Sequence, residues 1–358
     1  MPISAIDAIS PAFEHTKRQL FQPFRAEQWA KLALVGLLAG ELTTGSCGNN
    51  NFRIPKHPNE VTAGGLSRID PALLVLLMAL LIVLGFVFFT ALLYLNSVMR
   101  FVLFDSVVAR RCDLREQWNQ RQGAALRYFM WQVLFSLAVA LGLALLIAVP
   151  ATFALAAGWL TKPKEHMPVL ILAGMVLFLA VSAFVVVSAI VQVFTKDFVI
   201  PQMALEDLSA FEGWRRLWPM LWAEKGSYFG YLLLKMVMAI GVGIILGIIA
   251  TVAILVAIVP LGGFGALAVL GGKALGLEWN AYTVTLAVVA GSIVLAMFCY
   301  FIALIGVPTV VFFPAYSIYF LASRYPGLAM ALHPAAPIPS PPRAAVPPPI
   351  SPLPEASS

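Results

Sequence analysis

VLILAGMVLFLAVSAFVVVSAIVQVF, residues 169–194, contains no Asp, Glu, Lys or Arg. It is long enough to cross the ~30 Å hydrocarbon core as a helix, which takes roughly twenty residues. It does not alternate apolar and polar positions as a barrel strand would. In lipid the backbone polar groups must be satisfied within the segment, so a run of this length and composition reads as a transmembrane α-helix. Five further runs lie on either side, at about 29–42, 72–96, 128–150, 231–259 and 281–307. The fold class expected is therefore all-α, a polytopic transmembrane helical bundle of about six spans.

Composition points the same way. Of 358 residues, 61% are hydrophobic and 11% charged. A soluble domain carries roughly 25% charged residues and could not hide so much apolar surface. The net charge of +6 gathers beside the apolar runs, so it reads as an orientation signal and not as a nucleic-acid footprint. Residues 1–28 hold no apolar core of a cleavable signal. Cys47, Cys112 and Cys299 are assigned to the outside, the inside and the membrane, so no disulfide is expected.

The basic residues fix the expected orientation. With the N-terminus inside, the outer segments hold Arg53, Lys56, Arg68, Lys162, Lys164 and Lys273, and Lys235 lies within the fifth span. The other sixteen of the 23 Lys and Arg fall on inner segments. Both termini are therefore expected in the cytoplasm.

Three regions follow. Residues 1–28 form a cytoplasmic amphipathic segment in which Phe13, Leu20, Phe21 and Phe24 face lipid and Lys17, Arg18 and Arg25 meet headgroups. Residues 29–323 form the transmembrane domain. Residues 324–358 form a cytoplasmic tail, Pro-rich and disordered from His333 onward. Within the domain, 43–70 reads as a polar outer loop, 161–167 as a hairpin and 261–280 as a Gly-rich loop. Residues 310–321 read as an interfacial stretch.

The two long inner segments, 97–127 and 195–229, resemble each other. Arg100-Phe101-Val102-Leu103-Phe104 matches Asp197-Phe198-Val199-Ile200-Pro201. Asp113 with Glu116, and Ser209 with Glu212, have the form of capping boxes. Trp118 and Trp214 follow at the same distance, and Tyr128-Phe129 and Tyr228-Phe229 open the next spans. The expected unit is a span, a cytoplasmic interfacial amphipathic helix and a second span, repeated in parallel.

The stretch 197–234, with Phe198-Val199-Ile200-Pro201-Gln202-Met203-Ala204-Leu205-Glu206-Asp207, Trp214 and Lys225-Gly226-Ser227-Tyr228, resembles a poorly characterised family of prokaryotic multi-pass membrane domains. Some of these are fused to glycerophosphodiester phosphodiesterases. Leu20-Phe21-Gln22-Pro23-Phe24 followed by Trp29 resembles the opening of stand-alone members. The resemblance implies a multi-helical membrane domain and carries over no catalytic residue. A phosphodiesterase barrel takes about 250 residues, for which this chain has no room.

Trp214, Trp218 and Trp222 recur every four residues, with Arg215 and Arg216 beside them. Trp118 and Arg115 occupy the corresponding place in the first segment. These seven residues are the candidate site for lipid or partner contact, because indoles and cationic groups suit the headgroup layer. Lys235 is expected to snorkel to the interface, and Glu41 to reach water at the outer end of the first span. Gly243 and Gly247 have the spacing of a helix-packing pair. His15, His57, His166 and His333 form no metal motif, and no cofactor is expected.

The leading expectation is a non-enzymatic scaffold or accessory module, with membrane lipids, a membrane-protein partner or a second copy as its contacts and no nucleic acid. One alternative is a permease-like subunit, which predicts a polar cavity faced by Gln132 or Gln192. Another is an enzyme at the headgroup plane, which predicts Asp105, Glu116, Asp197 or Glu206 converging on one cleft.

Overall fold

A computed structural model describes residues 3–41, 71–159, 164–274 and 281–332. The stretch around Cys47 expected as an outer loop, residues 160–163 and 275–280, and the Pro-rich stretch from His333 lie outside the described residues. Every regular element among the described residues is helical. The elements are α1 (Ile9–Phe21), α2 (Ala26–Leu38), α3 (Pro71–Val108), α4 (Leu114–Ala156), α5 (Met167–Phe194), a π-helical turn (Thr195–Val199), α6 (Ile200–Glu206), α7 (Ala210–Ala223), α8 (Lys225–Ala274), α9 (Ala281–Ala322) and α10 (Pro326–Leu332).

Five helical stretches are long and apolar enough to cross a membrane: Val75–Val108, Leu114–Ala156, Met167–Glu206, Lys225–Val256 and Thr285–Ala322. Helix α2 is not among them. Its 13 residues extend about 20 Å at ~1.5 Å per residue, well short of the ~30 Å hydrocarbon core.

The bundle has two ends of different character. Along the apolar windows the side chains are scarcely covered by protein; Phe86, Phe178, Ile244 and Leu295 are all more than half exposed. At the other end the helices close into a packed collar. It buries Phe101, Val102, Phe198, Val199, Met203, Leu217, Tyr231, Val311, Tyr316 and Phe320. Hydrocarbon tails are as apolar as leucine, so lipid gives these helices no hydrophobic reason to pack. Water does, and the collar is where the chain buries apolar surface from it.

Several expectations change on this ground. Residues 310–321 are not an interfacial stretch: α9 continues through Pro308 and Pro314 to Ala322, and this end of it is core. The segments 97–127 and 195–229 likewise supply core. Helix α4 runs unbroken from Leu114 through Pro150 to Ala156, so no separate interfacial helix precedes the third span. The 261–280 stretch is helical as far as Ala274. Intrahelical bonding satisfies the backbone there despite the ~1 kcal/mol that each glycine costs in a helix. The tail begins with α10, whose Leu328 is buried.

The N-terminal helices belong to the collar. Leu20 is buried in protein, while Phe13, Phe21 and Phe24 remain exposed as expected of lipid-facing groups. His15 Nε2 lies 2.9 Å from the Val107 carbonyl, and its Nδ1 lies 3.1 Å from the Tyr319 hydroxyl. A carbonyl only accepts, so Nε2 carries the proton and Nδ1 accepts from the tyrosine. Burial holds the imidazole pKa below its ordinary value, which keeps it in this neutral form. Gln19 donates to the Ser106 carbonyl at 2.9 Å, and Trp29 Nε1 donates to the Leu304 carbonyl at 2.9 Å. Helices α1 and α2 are thereby tied to α3 and α9.

Close helix approach occurs at three described glycines, Gly36, Gly213 and Gly142, the last with its added Cβ 2.7 Å from Phe184 Cζ. A Cβ on Gly36 would lie 2.6 Å from both methyls of Val310, and one on Gly213 would lie 2.6 Å from Val199 Cγ1. Gly243 and Gly247, read as a packing pair, face nothing within 4 Å, so they join no helices within one chain. Val199 is buried and stiff at χ1, so it cannot yield to a new methyl. Gly213→Ala is expected to destabilise the protein by about 1–3 kcal/mol, the usual cost of overpacking, whereas Gly247→Ala leaves thermal unfolding in detergent unchanged.

Candidate functional site

Pro201 sets the local backbone geometry. Proline lacks the N–H that would bond four residues back, and its ring crowds the carbonyl there, which belongs to residue 197. The helix widens into the π-turn Thr195–Val199 just before it. Such turns recur at functional sites. This one carries Lys196 and Asp197 into the collar, where nearly every residue from Thr195 to Ala204 is buried.

Charged groups from four parts of the chain meet there. Lys196 Nζ stands 2.5 Å from Glu41 Oε2, beyond the end of α2. Lys235 Nζ of α8 stands 2.5 Å from Asp197 Oδ2, which also accepts from the Tyr231 hydroxyl at 3.0 Å. Arg100 of α3 donates to Asn96 Oδ1 and to the Tyr128 hydroxyl, both at 3.1 Å. Asn96 Nδ2 in turn donates to the Leu38 carbonyl at 2.9 Å, joining α3 to α2. The Glu41 and Asp197 side chains are only 8% and 4% exposed, so their charges stand only because they are paired.

Beside this cluster lies a partly open cavity of about 30 Å³. Its polar lining is Glu41, Arg100, Lys196, Asp197 and Ser317, and its apolar walls include Leu103, Ile200 and Pro314. Neither Gln132 nor Gln192 is part of it. Gln132 accepts from the Ser97 hydroxyl at 3.2 Å, and Gln192 is exposed.

Two sequence expectations are corrected here. Glu41 does not reach water at an outer membrane face; it pairs with Lys196, at the level of the collar, because α2 is too short to carry it across. Lys235 does not snorkel away from the bundle, because Asp197 offers it a closer and opposite charge. Adjacent Lys196 and Asp197 ahead of Pro201 were the available sequence signal for this site. Arg100 and Lys196 otherwise read only as orientation charges.

The four candidate carboxylates are held apart by different partners. Asp105 receives Arg121 through two hydrogen bonds, at 2.6 and 2.8 Å. Arg121 also donates to the Ala204 carbonyl near the end of α6, where free carbonyls attract a cation. Glu116 accepts from Gln120 at 3.2 Å, and Asp197 is held as above. Glu206 accepts from Arg216 and Tyr325. Burial and that carboxylate push the Tyr325 pKa up to about 12.

Helix α7 starts at Ser209, whose capping box with Glu212 is complete. Asp113 also precedes its helix but makes no side-chain cap bond. The expected stripe on α7 divides. Trp214 turns inward, and its Nε1 donates to Thr195 Oγ1 at 3.0 Å. Trp218 and Trp222 stay more than half exposed, with ring centroids 6.0 Å apart. Four residues advance a helix by slightly more than one turn, so the third indole has rotated well away from the first. Arg215 and Arg115 are exposed, Trp118 is half-buried, and Arg216 is tied to Glu206. Lys225 Nζ sits 3.6 Å from the centroid of the Trp222 ring, within cation–π range.

A family model described as "Family of unknown function (DUF7544)" matches residues 3–331. No curated protein and no solved structure matches the chain. Removing one buried charge is the sharpest probe of the cluster. Lys196→Met should cost about 3–5 kcal/mol by leaving Glu41 buried and unpaired. The double variant Glu41→Gln, Lys196→Met should recover most of that in thermal unfolding.

Proposed function

We propose, from the premise that the chain belongs to DUF7544, a family of unknown function, that it is a non-enzymatic module of a prokaryotic inner membrane. It organises anionic lipid around a cytoplasmic collar. The observation that carries this reading is the exposed face of α7, which carries Arg215, Trp218 and Trp222, with Lys225 at the start of α8 over the Trp222 ring. Two indoles suit the headgroup layer, and each cation near an anionic surface adds about 1 kcal/mol of attraction.

The orientation rests on the excess of Lys and Arg in the segments joined at the collar. It agrees with the meeting of the first described residues and the segment after α9 at that collar, where Arg324 Nη1 donates to the Ile3 carbonyl at 3.2 Å.

The parallel repeat is part of the same reading. Phe101 meets Tyr128 edge-on at 5.9 Å, as Phe198 meets Tyr228 at 5.3 Å. Arg110 and Asp207 both take left-handed backbone between the paired elements. The copies have diverged: the second retains the complete cap and a separate α7, and the first has fused the equivalent helix into α4.

Native mass spectrometry of the protein extracted in polymer nanodiscs tests the lipid role. Phosphatidylglycerol should be enriched around the wild type. Trp218→Ala, Trp222→Ala, Arg215→Gln together should reduce that enrichment by about tenfold, or ~1.4 kcal/mol, without lowering the melting temperature. Undiminished enrichment in the folded variant refutes the role. Recovery of a stoichiometric protein partner in place of enriched lipid refutes it too.

A further inference from the structure

Helix α1 presents an exposed face of its own, separate from that of α7. Its buried side, Ala12, His15, Thr16, Gln19 and Leu20, packs into the collar, chiefly against α9. The opposite side divides into two edges. At 3.6 residues per turn, Phe13, Lys17 and Phe21 run along one edge, and Glu14 and Arg18 along the other. Phe13 and Phe21 are more than half exposed, and so is Phe24 just beyond the helix. The Glu14 and Arg18 side chains are also more than half exposed, and they pair at 3.6 Å. Large apolar groups gathered on the outside of a well-packed region mark a contact surface.

The apolar edge adjoins a surface that meets hydrocarbon. Phe21 and Phe24 touch the Trp29 ring at centroid separations of 5.4 and 5.5 Å. Trp29 is bonded in turn to the Leu304 carbonyl of α9, and the Tyr300 hydroxyl donates to the Ala30 carbonyl at 3.0 Å. Phe301 lies between those two contacts on α9 and is more than half exposed, as is Met297 one turn earlier. Both belong to the stretch of α9 that is apolar enough to cross a membrane. The phenylalanines of α1 therefore stand at the margin of the lipid-facing surface of α9.

Cations surround the same edge. Lys17 stands among the phenylalanines, and Arg25 follows Phe24; both are exposed. A lysine stem can lie along apolar surface while its ammonium reaches a headgroup. Glu14, the acidic group on this face, lies on the far edge beside Arg18. An apolar edge, cations along it and a polar edge opposite are the features of a helix that lies in the plane of a bilayer surface.

We propose that α1 is such a surface helix. Phe13, Phe21 and Phe24 enter the boundary between headgroups and acyl chains, and Lys17 and Arg25 meet lipid phosphates. The contact is independent of the lipid role assigned to α7, because α1 packs on α9 whereas α7 packs on the π-turn and α6.

The experiment places the full chain in nanodiscs of phosphatidylcholine and phosphatidylglycerol, one copy per disc. The background is Cys47→Ala, Cys112→Ala, Cys299→Ala. An environment-sensitive fluorophore is attached at Phe13→Cys, Phe21→Cys, Glu14→Cys or Arg18→Cys, one at a time. Two quenchers are compared, a lipid carrying a nitroxide on its acyl chain and iodide in the buffer. The apolar side of a surface helix lies ~5–10 Å into the bilayer boundary, so labels at 13 and 21 should be quenched about twofold more by the nitroxide lipid than labels at 14 and 18. Iodide should give the reverse order. The α7 triple variant should leave both patterns unchanged.

Equal and strong iodide quenching at all four positions places the face in water, as a docking surface for a soluble protein would be, and overturns the proposal. Weak quenching by both reagents at 13 and 21 places those side chains against protein and overturns it too. Should Phe21→Cys, which loses the Trp29 contact, fail to fold, Lys17→Cys on the same edge takes its place with the same expected order.

Discussion

The long helices pass through two solvents, and only one of them drives apolar side chains together. Where hydrocarbon surrounds α3, α5, α8 and α9, leucines and valines point outward at no cost. Where water or headgroups surround the same helices, those side chains must be covered. The collar is the result. Phe198, Phe320, Tyr228 and Tyr231 meet there at ring separations of 4.7–6.0 Å, Phe101 meets Tyr128 at 5.9 Å, and α1, α2 and α7 close over them. Helices too short to span a bilayer thus become the walls of the best-packed part of the molecule.

Inside that collar the π-turn ahead of Pro201 sets the polar arrangement. A regular helix there would need an amide hydrogen that proline lacks. The widened turn brings Lys196 and Asp197 in among Glu41, Arg100 and Lys235. Each ion pair joins elements distant in sequence: Glu41 to Lys196, and Asp197 to Lys235. Apolar packing and charge pairing therefore specify the same convergence of α2, α3, the π-turn and α8. Arg121 extends the arrangement outward by holding Asp105 of α3 and the end of α6 together.

Much of the architecture was legible in the sequence. The run 169–194 could be little other than a crossing helix, and four comparable runs appear in the structure as long apolar helices. The cap at Ser209 was legible because its two side chains are local. What eluded sequence reasoning was long-range. Residues 310–321 look like an interfacial helix because aromatic and apolar groups mixed with Pro and Ser suit headgroups and a protein core equally well. Glu41 and Lys196 are separated by far too much chain for any periodicity to pair them. The indoles of α7 look equivalent by spacing, yet Trp214 is taken into the collar by Thr195.

The central claim is that the C-terminal end of α9 is enclosed by protein while its N-terminal end faces lipid. A spin-label scan along this helix, reading accessibility to oxygen and to a water-soluble relaxant, tests it directly. Labels from Leu286 to Met297 should report oxygen, as lipid-facing sites do. Labels at Val310, Val311, Ala315, Ile318 and Leu321 should be shielded from both reagents. A helical alternation between oxygen and water accessibility across 310–321 would mark an interfacial helix and contradict the collar.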